Sequence, residues 1–299
     1  MDFKKNNETI QMNTITDNKL SVIIVVYNQI KLIRKTLLSL NRQSVLPAEV
    51  VLSDDGSSCD IPAGINDLLP ELQFNVKFVR QEDRGFRAGK CRNNGIRECS
   101  GEYLVFFDQD ILSTTNYLKV FSDHQRKNSF IVAFPVLLSE EQTKQITEPS
   151  VRNGRFLELI TREQKAQMSR QYVKDMFYYY QRVLVLRNDH RPKLRSGIFG
   201  IFKSDLIKVD GFDENYQGWG NEDDDLGRRL YKAGVYGRTE FKNEFPIHMY
   251  HKPHRTGKER VNQDYYLRRI REIKAGEYKA VNGLSNPLGD DKPIIKILK

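Results

Sequence analysis

The stretch LSVIIVVY at Leu20–Tyr27 is apolar at consecutive positions, and most of its residues are β-branched. A strand of that kind has to be covered on both faces, which a sheet enclosed between layers of helices provides. Three shorter runs follow, at Glu49–Leu52, Val76–Val79 and Tyr103–Phe107. Between them the apolar positions change to helical spacing, through Ile33, Leu37, Leu38 and Leu40 and again over Ala88–Arg97. Strands and helices in alternation specify an α/β fold with a mostly parallel, Rossmann-like sheet and flanking helices. The first, second and fourth strands end in the polar clusters NQ, SDDGSS and DQD. Ligands of such sheets bind beyond the carboxyl ends of the strands, so these three clusters are expected to converge.

The remainder of the chain divides by composition. Residues 1–18 are polar and read as a loose tail, and 19–137 form the strand-rich half, with Phe130–Leu137 as a further strand. Residues 138–195 read as a basic helical insertion carrying the aromatic run Phe177–Tyr180. From 196 to 255 the chain is apolar again, with a strand in GIFGIF, a short helix in SDLIKV and the loop DGFDENYQGWG. The acidic run Glu222–Asp225 then opens a helix that has Leu226 and Leu230 on one face and Gly234 as its stop. A helix and tail are expected over 256–299.

Charge is unevenly placed. The formal net charge is +9, and residues 151–210 hold 13 Lys and Arg against 6 Asp and Glu. That excess suits an acidic partner such as a nucleotide diphosphate or an anionic membrane surface, and it also suits a plain solvated face. The run Val22–Tyr27 is far too short to span a bilayer, and nothing resembles a signal peptide. Cys59, Cys91 and Cys99 lack metal-type spacing and leave one over, so a reducing cytoplasm is the expected compartment.

Several motifs carry chemistry. In an extended strand end, Asp108 and Asp110 of DQD point the same way, and two such carboxylates need solvent or a cation; hard oxygen ligands suit Mg²⁺ or Mn²⁺. In SDDGSS, Asp55 is either part of a strand-to-helix turn or a carboxylate that accepts from a base or ribose. The first strand runs into Tyr27-Asn28-Gln29, not into G-x-G-x-x-G, which argues against a hydride-transferring enzyme. His248, His251 and His254 cluster in HMYHKPHR, at a spacing that zinc also uses. In QGWGNEDDDL four consecutive acids follow the chain's single tryptophan. Acids favour the first turn of a helix, but a cap needs one of them and no tryptophan.

The succession SVIIVVYN, VVLSDDGS, RGFRAGKCRNNGI and GEYLVFFDQD resembles the nucleotide-binding half of family 2 glycosyltransferases, which have the GT-A fold. The segment SGIFGIFKSDLIKVDGFDENYQGWGNEDDDLGRRL is similar to a C-terminal part shared with β-1,4-galactosyltransferases and bacterial chondroitin polymerases. The resemblance covers about residues 20–137 and 195–255. It implies a metal-dependent inverting transfer from a UDP-sugar to a saccharide or lipid-linked saccharide, with Mn²⁺ or Mg²⁺ as cofactor, in bacterial surface polysaccharide synthesis. It places Tyr27 and Asp55 by the nucleotide base, Asp108 near the ribose and sugar, and Asp110 on the metal with His251 and His248. Arg84, Arg87 and Arg92 become candidates for the diphosphate. Asp223 becomes the base, Glu222 binds acceptor hydroxyls beside it, and Trp219 stacks on a sugar. Asp224 and Asp225 are left for capping or ion pairing. Asn221 stands where galactosyltransferases have Gly, so the acceptor does not carry over.

Two other readings stand beside this one. A sugar-nucleotide nucleotidyltransferase predicts a Gly-rich basic loop after the first strand, where this chain has YNQIK. A non-enzymatic binding protein would grip an anionic surface through the 151–210 segment, with Tyr178, Tyr179 and Tyr180 beside Arg182, or hold the enzyme near an anionic membrane. Nucleic acid is not expected as a partner.

Overall fold

The structure is a computed structural model and describes residues 20–185, 190–195, 197–252, 261–289 and 291–299. Residues 1–18, expected as a tail, and His254 lie outside the described residues. Strands β1 (Leu20–Val26), β2 (Glu49–Asp54), β3 (Asn75–Arg80) and β4 (Tyr103–Asp108) are parallel neighbours in the order β3-β2-β1-β4. In register, Val22 faces Val50 on one side and Val105 on the other. The unbroken apolar run of β1 is explained by its two coverings. Val22, Ile24 and Val26 pack with Ile33, Leu37 and Leu40 of the helix Ile30–Leu40. Ile23 packs on the opposite face with Ile96 of the helix Ala88–Glu98. The chain leaves β1 towards β2 and β3 and later returns to β1's other side as β4. The carboxyl ends of β1 and β4 therefore flank a switch point.

Further strands extend the sheet and build a second one. After β5 (Ile111–Ser113), β6 (Ser129–Val132) and β7 (Val136–Leu137) come β8 (Phe199–Phe202), β9 (Tyr236–Arg238), β10 (Pro246–His248) and β11 (Ile294–Ile297). The main sheet runs β11-β3-β2-β1-β4-β8-β6-β9, and the small one β5-β10-β7. The single strand expected at Phe130–Leu137 is two: it breaks before Pro135, which has no N–H for a ladder and restricts the residue ahead of it. β6 stays in the main sheet and β7 crosses to the small one.

The segment expected as a basic insertion packs on the helix Ile30–Leu40. Val151, Phe156 and Ile160 share a core with Leu32 and Leu38 and with Leu112, Ile247 and Met249 around the small sheet. Arg34 locks this contact by ion pairs of 2.5 Å to both Glu148 and Asp67. Beyond the helix Gln263–Ala275 the chain returns and adds β11 antiparallel to β3, a strand that the reading of a helix and tail did not include.

Candidate active site

β4 ends at Asp108, and Gln109-Asp110 form a turn before β5. The turn, not strand alternation, therefore aims the two carboxylates. Gln109 fixes it to the end of β1: Tyr27 N donates to Gln109 Oε1 at 2.7 Å, and Gln109 Nε2 donates back to Tyr27 O at 3.2 Å. Asp108 has room because residue 197 is Gly; a Cβ there would lie 1.9 Å from Asp108 Oδ2.

Strand pairing brings the histidines to Asp110. β10 runs antiparallel to β5 with His248 opposite Ile111, and Met249 N donates to Asp110 O at 2.9 Å. His251 Nε2 lies 2.8 Å and His248 Nε2 3.5 Å from Asp110 Oδ2. One donor atom from each of the three residues lies within 4.8 Å of the others. Asp110 is buried, and its Oδ1 has no hydrogen-bond partner. A buried carboxylate oxygen without a partner is costly, and a carboxylate with two imidazoles is a donor set that a divalent cation fits. Hydrogen bonding to Asp110 also raises the His251 imidazole above its usual value.

Helix geometry sorts the four acids of the helix Glu222–Lys232 into four environments, since successive residues turn by about 100°. Asp225 points inward, fully buried, with Arg229 Nε at 2.6 Å and Arg269 Nε at 3.8 Å. Asp224 faces the outer flank, where burial would raise it. Hydrogen bonds from Tyr266, Arg228 and Lys193 prevail and hold it at about 2. Glu222 is buried against Arg92. Asp223 is half-buried, and among the described residues no cation pairs with it. Its Oδ1 accepts from Asp224 N at 2.8 Å, and burial together with the neighbouring Glu222 pushes it up to about 6.

Arg92 ties the two sides together. It comes from the helix Ala88–Glu98, is buried, and stacks its guanidinium 5.4 Å from the Phe212 ring centroid. Nη2 lies 3.4 Å from Asp108 and Nη1 3.5 Å from Glu222, so a single cation spans the end of β4 and the start of the acidic helix. The sequence offered Arg92 for a diphosphate and missed this bridge; the sole signal was a basic residue within RNNGI.

The loop before the acidic helix is built from unusual backbone. Gly218, Gly220 and Asn221 have φ of 81°, 107° and 76°, in the left-handed region. Gly218 N donates to Phe86 O, and Asn262 Nδ2 donates to Gly218 O and Gly220 O, at 2.8, 3.4 and 3.2 Å. The loop presents Trp219 with 48% of its surface exposed.

Tyr27 and Asp55, expected by the nucleotide base, stand just after β1 and β2. Asp55 is buried, accepts from Gln81 Nε2 at 2.5 Å and Arg87 N at 2.9 Å, and is pushed up by burial to about 6. Tyr27 donates its hydroxyl to Asp83 at 3.3 Å. Arg87 is turned into the protein, with Nη2 2.5 Å from Glu82 O and 3.5 Å from Asp291. Arg84 is exposed and pairs with Glu82 at 2.8 Å. The diphosphate role read for these two arginines thus meets one side chain committed inward and one paired at the surface.

A mostly parallel sheet whose switch point opens between this carboxylate–imidazole cluster and an acidic helix start is the framework of a GT-A glycosyltransferase. The chain belongs to glycosyl transferase family 2, whose family model matches residues 21–190. A second model, the N-terminal domain of galactosyltransferase, matches residues 185–252. Validoxylamine A glucosyltransferase of Streptomyces hygroscopicus subsp. limoneus is 28% identical over 242 residues, which are 72% of this chain and 48% of that protein. Chondroitin synthase of Escherichia coli is 27% identical over 234 residues, 74% of this chain and 33% of that one. The chain therefore spans half or less of these relatives. A crystal structure of GalNAc-T7 with UDP, GalNAc and Mn²⁺ has the same fold, with a TM-score of 0.56 at 17% identity over 87% of this chain and 49% of its own. Family membership agrees with the glycosyltransferase reading.

Proposed function

We propose that the chain moves a hexose or N-acetylhexosamine from a UDP-sugar to a saccharide or lipid-linked saccharide, with inversion, in the assembly of a bacterial surface polysaccharide. The observation that carries this reading is the pairing of two sites through Arg92: Asp110 with two imidazoles on one side, and on the other Asp223, with which no cation among the described residues pairs. Names of relatives that include a glucosyltransferase and a polysaccharide synthase support the reaction class, and UDP in a neighbour's structure supports the donor.

Asp110, His251 and His248 would hold Mn²⁺ or Mg²⁺. When bound there, the ion supplies positive charge to the leaving diphosphate. Asp55 accepts a hydrogen bond from the base, beside the Tyr27 ring, and Asp108 meets the ribose and sugar. Trp219 stacks on the apolar face of a sugar. Glu222 orients acceptor hydroxyls. Asp223 takes the proton of the attacking hydroxyl as its oxygen bonds to the anomeric carbon. The bond from that carbon to the diphosphate breaks, and UDP leaves with the electron pair, through an oxocarbenium-like transition state.

The test is nucleotide release across UDP-, GDP- and dTDP-sugars, with Mn²⁺ and with chelator. UDP-sugars are expected to turn over slowly into water, and chelator or Asp110→Ala to stop it. Turnover with added acceptors that survives in both Asp110→Ala and Asp223→Ala overturns the proposal.

A further inference from the structure

The long helix Arg162–Val185 is built inside out. Its inward face is anchored by polar groups. Gln164 Nε2 donates to Leu137 O at 2.8 Å, Asp175 pairs with Arg195 at 3.2 Å, and Arg182 Nη1 donates to Gly237 O at 3.0 Å. The Arg182 guanidinium also lies 5.1–5.6 Å from the rings of Tyr179, Tyr231 and Tyr236. Met168 is its one buried apolar side chain among the described residues. The face turned to solvent carries Val173, Phe177, Tyr180 and Leu184, exposed by 65, 57, 52 and 74%. Their spacing of four, three and four residues makes one straight stripe about 17 Å long, opposite the anchored face. Arg170 and Lys174 are exposed on one side of that stripe, Lys165 is exposed on the other side nearer the start of the helix, and Glu163 is the exposed acid of this helix.

We propose that this outward face docks on an anionic lipid surface, with the helix lying in the headgroup plane. An apolar stripe with exposed cations beside it and at its N-terminal end matches a bilayer boundary, where aromatic rings and aliphatic tips enter and cations meet lipid phosphates. A second copy is a poor occupant. The exposed cations of two such helices repel each other, and the stripe is shorter than the three to four heptads a stable coiled coil uses. No helix among the described residues is long and apolar enough to cross a membrane, so the contact is peripheral. The inference goes beyond sugar transfer, and its test does not depend on the reaction.

The full chain is sedimented with vesicles of phosphatidylcholine alone and with vesicles containing one third phosphatidylglycerol. The chain pellets with the anionic vesicles and at least about tenfold less with the neutral ones. Phe177→Ser with Leu184→Ser, and separately Lys165→Glu with Arg170→Glu, each weaken that binding by at least about tenfold. Because these residues face solvent, thermal melts and UDP-sugar hydrolysis are expected to stay as in the unaltered chain. No pelleting with either vesicle overturns the proposal. So does binding that the Ser pair leaves unchanged, or a dimer in analytical ultracentrifugation that the Ser pair dissolves.

Discussion

Asp223 and Asp55 are carboxyls held up to about 6 by burial, one at the start of the acidic helix and one after β2. Asp223→Asn is expected to lower kcat about 10²–10⁴-fold while leaving the donor KM nearly unchanged, read by steady-state nucleotide release. The pH dependence has a definite sign. A raised carboxyl is protonated below about pH 6 and then cannot accept a proton, so kcat at saturating donor falls about tenfold per unit below that value. Protonation of Asp55 in the same range instead appears as a rising donor KM, which separates the two groups. At this scale the sequence singled out the candidates for the chemistry, because several short motifs occur in one order. It did not show how four adjacent acids divide. Their fates depend on Arg92, Arg229 and Tyr266, which reach them from other helices or a turn away. A buried arginine such as Arg92 is not distinguishable in sequence from one that faces solvent.

The loop and helix at 218–232 act as a unit whose entry is fixed by backbone sterics. Asn221 stands in the left-handed region at φ 76°, which Asn and Gly adopt at lower cost than other residues. Asn221→Gly is expected to stay within about 0.5 kcal/mol of the original in urea unfolding. Asn221→Val is expected to cost about 1–3 kcal/mol and to raise acceptor KM by displacing Trp219. The strands β1 to β4 and the helices Ile30–Leu40 and Ala88–Glu98 were legible from periodicity, since parallel strands buried on both faces leave long apolar runs; the short helix Ile61–Ile65 was not read. The split between β6 and β7 was signalled by Pro135 in a run that otherwise read as one strand. β5 and β10 were too short to stand out, although their pairing sets His248 beside Asp110.

Across the whole molecule, the β1–β4 half is completed by a segment about two hundred residues further along the chain. Asp291 is enclosed between Lys90 at 2.5 Å and Arg87 at 3.5 Å and accepts from Glu82 N at 2.9 Å. Burial would raise this carboxyl, but Lys90 and the Glu82 amide hold it below the usual carboxylate range. Asp291→Ala strands two buried cations and is expected to cost about 3–5 kcal/mol, seen as a lower melting temperature; Asp291→Asn is expected to cost less. No local pattern announces a contact between residues 209 positions apart, so neither this clamp nor β11 was read from the sequence.

That separation has a consequence for biosynthesis. While a ribosome is still making the second half of the chain, β3 lies at the margin of the nascent sheet with its backbone N–H and C=O groups open. Its antiparallel neighbour follows about two hundred residues later, and until that segment emerges the nascent sheet is vulnerable to wrong strand partners.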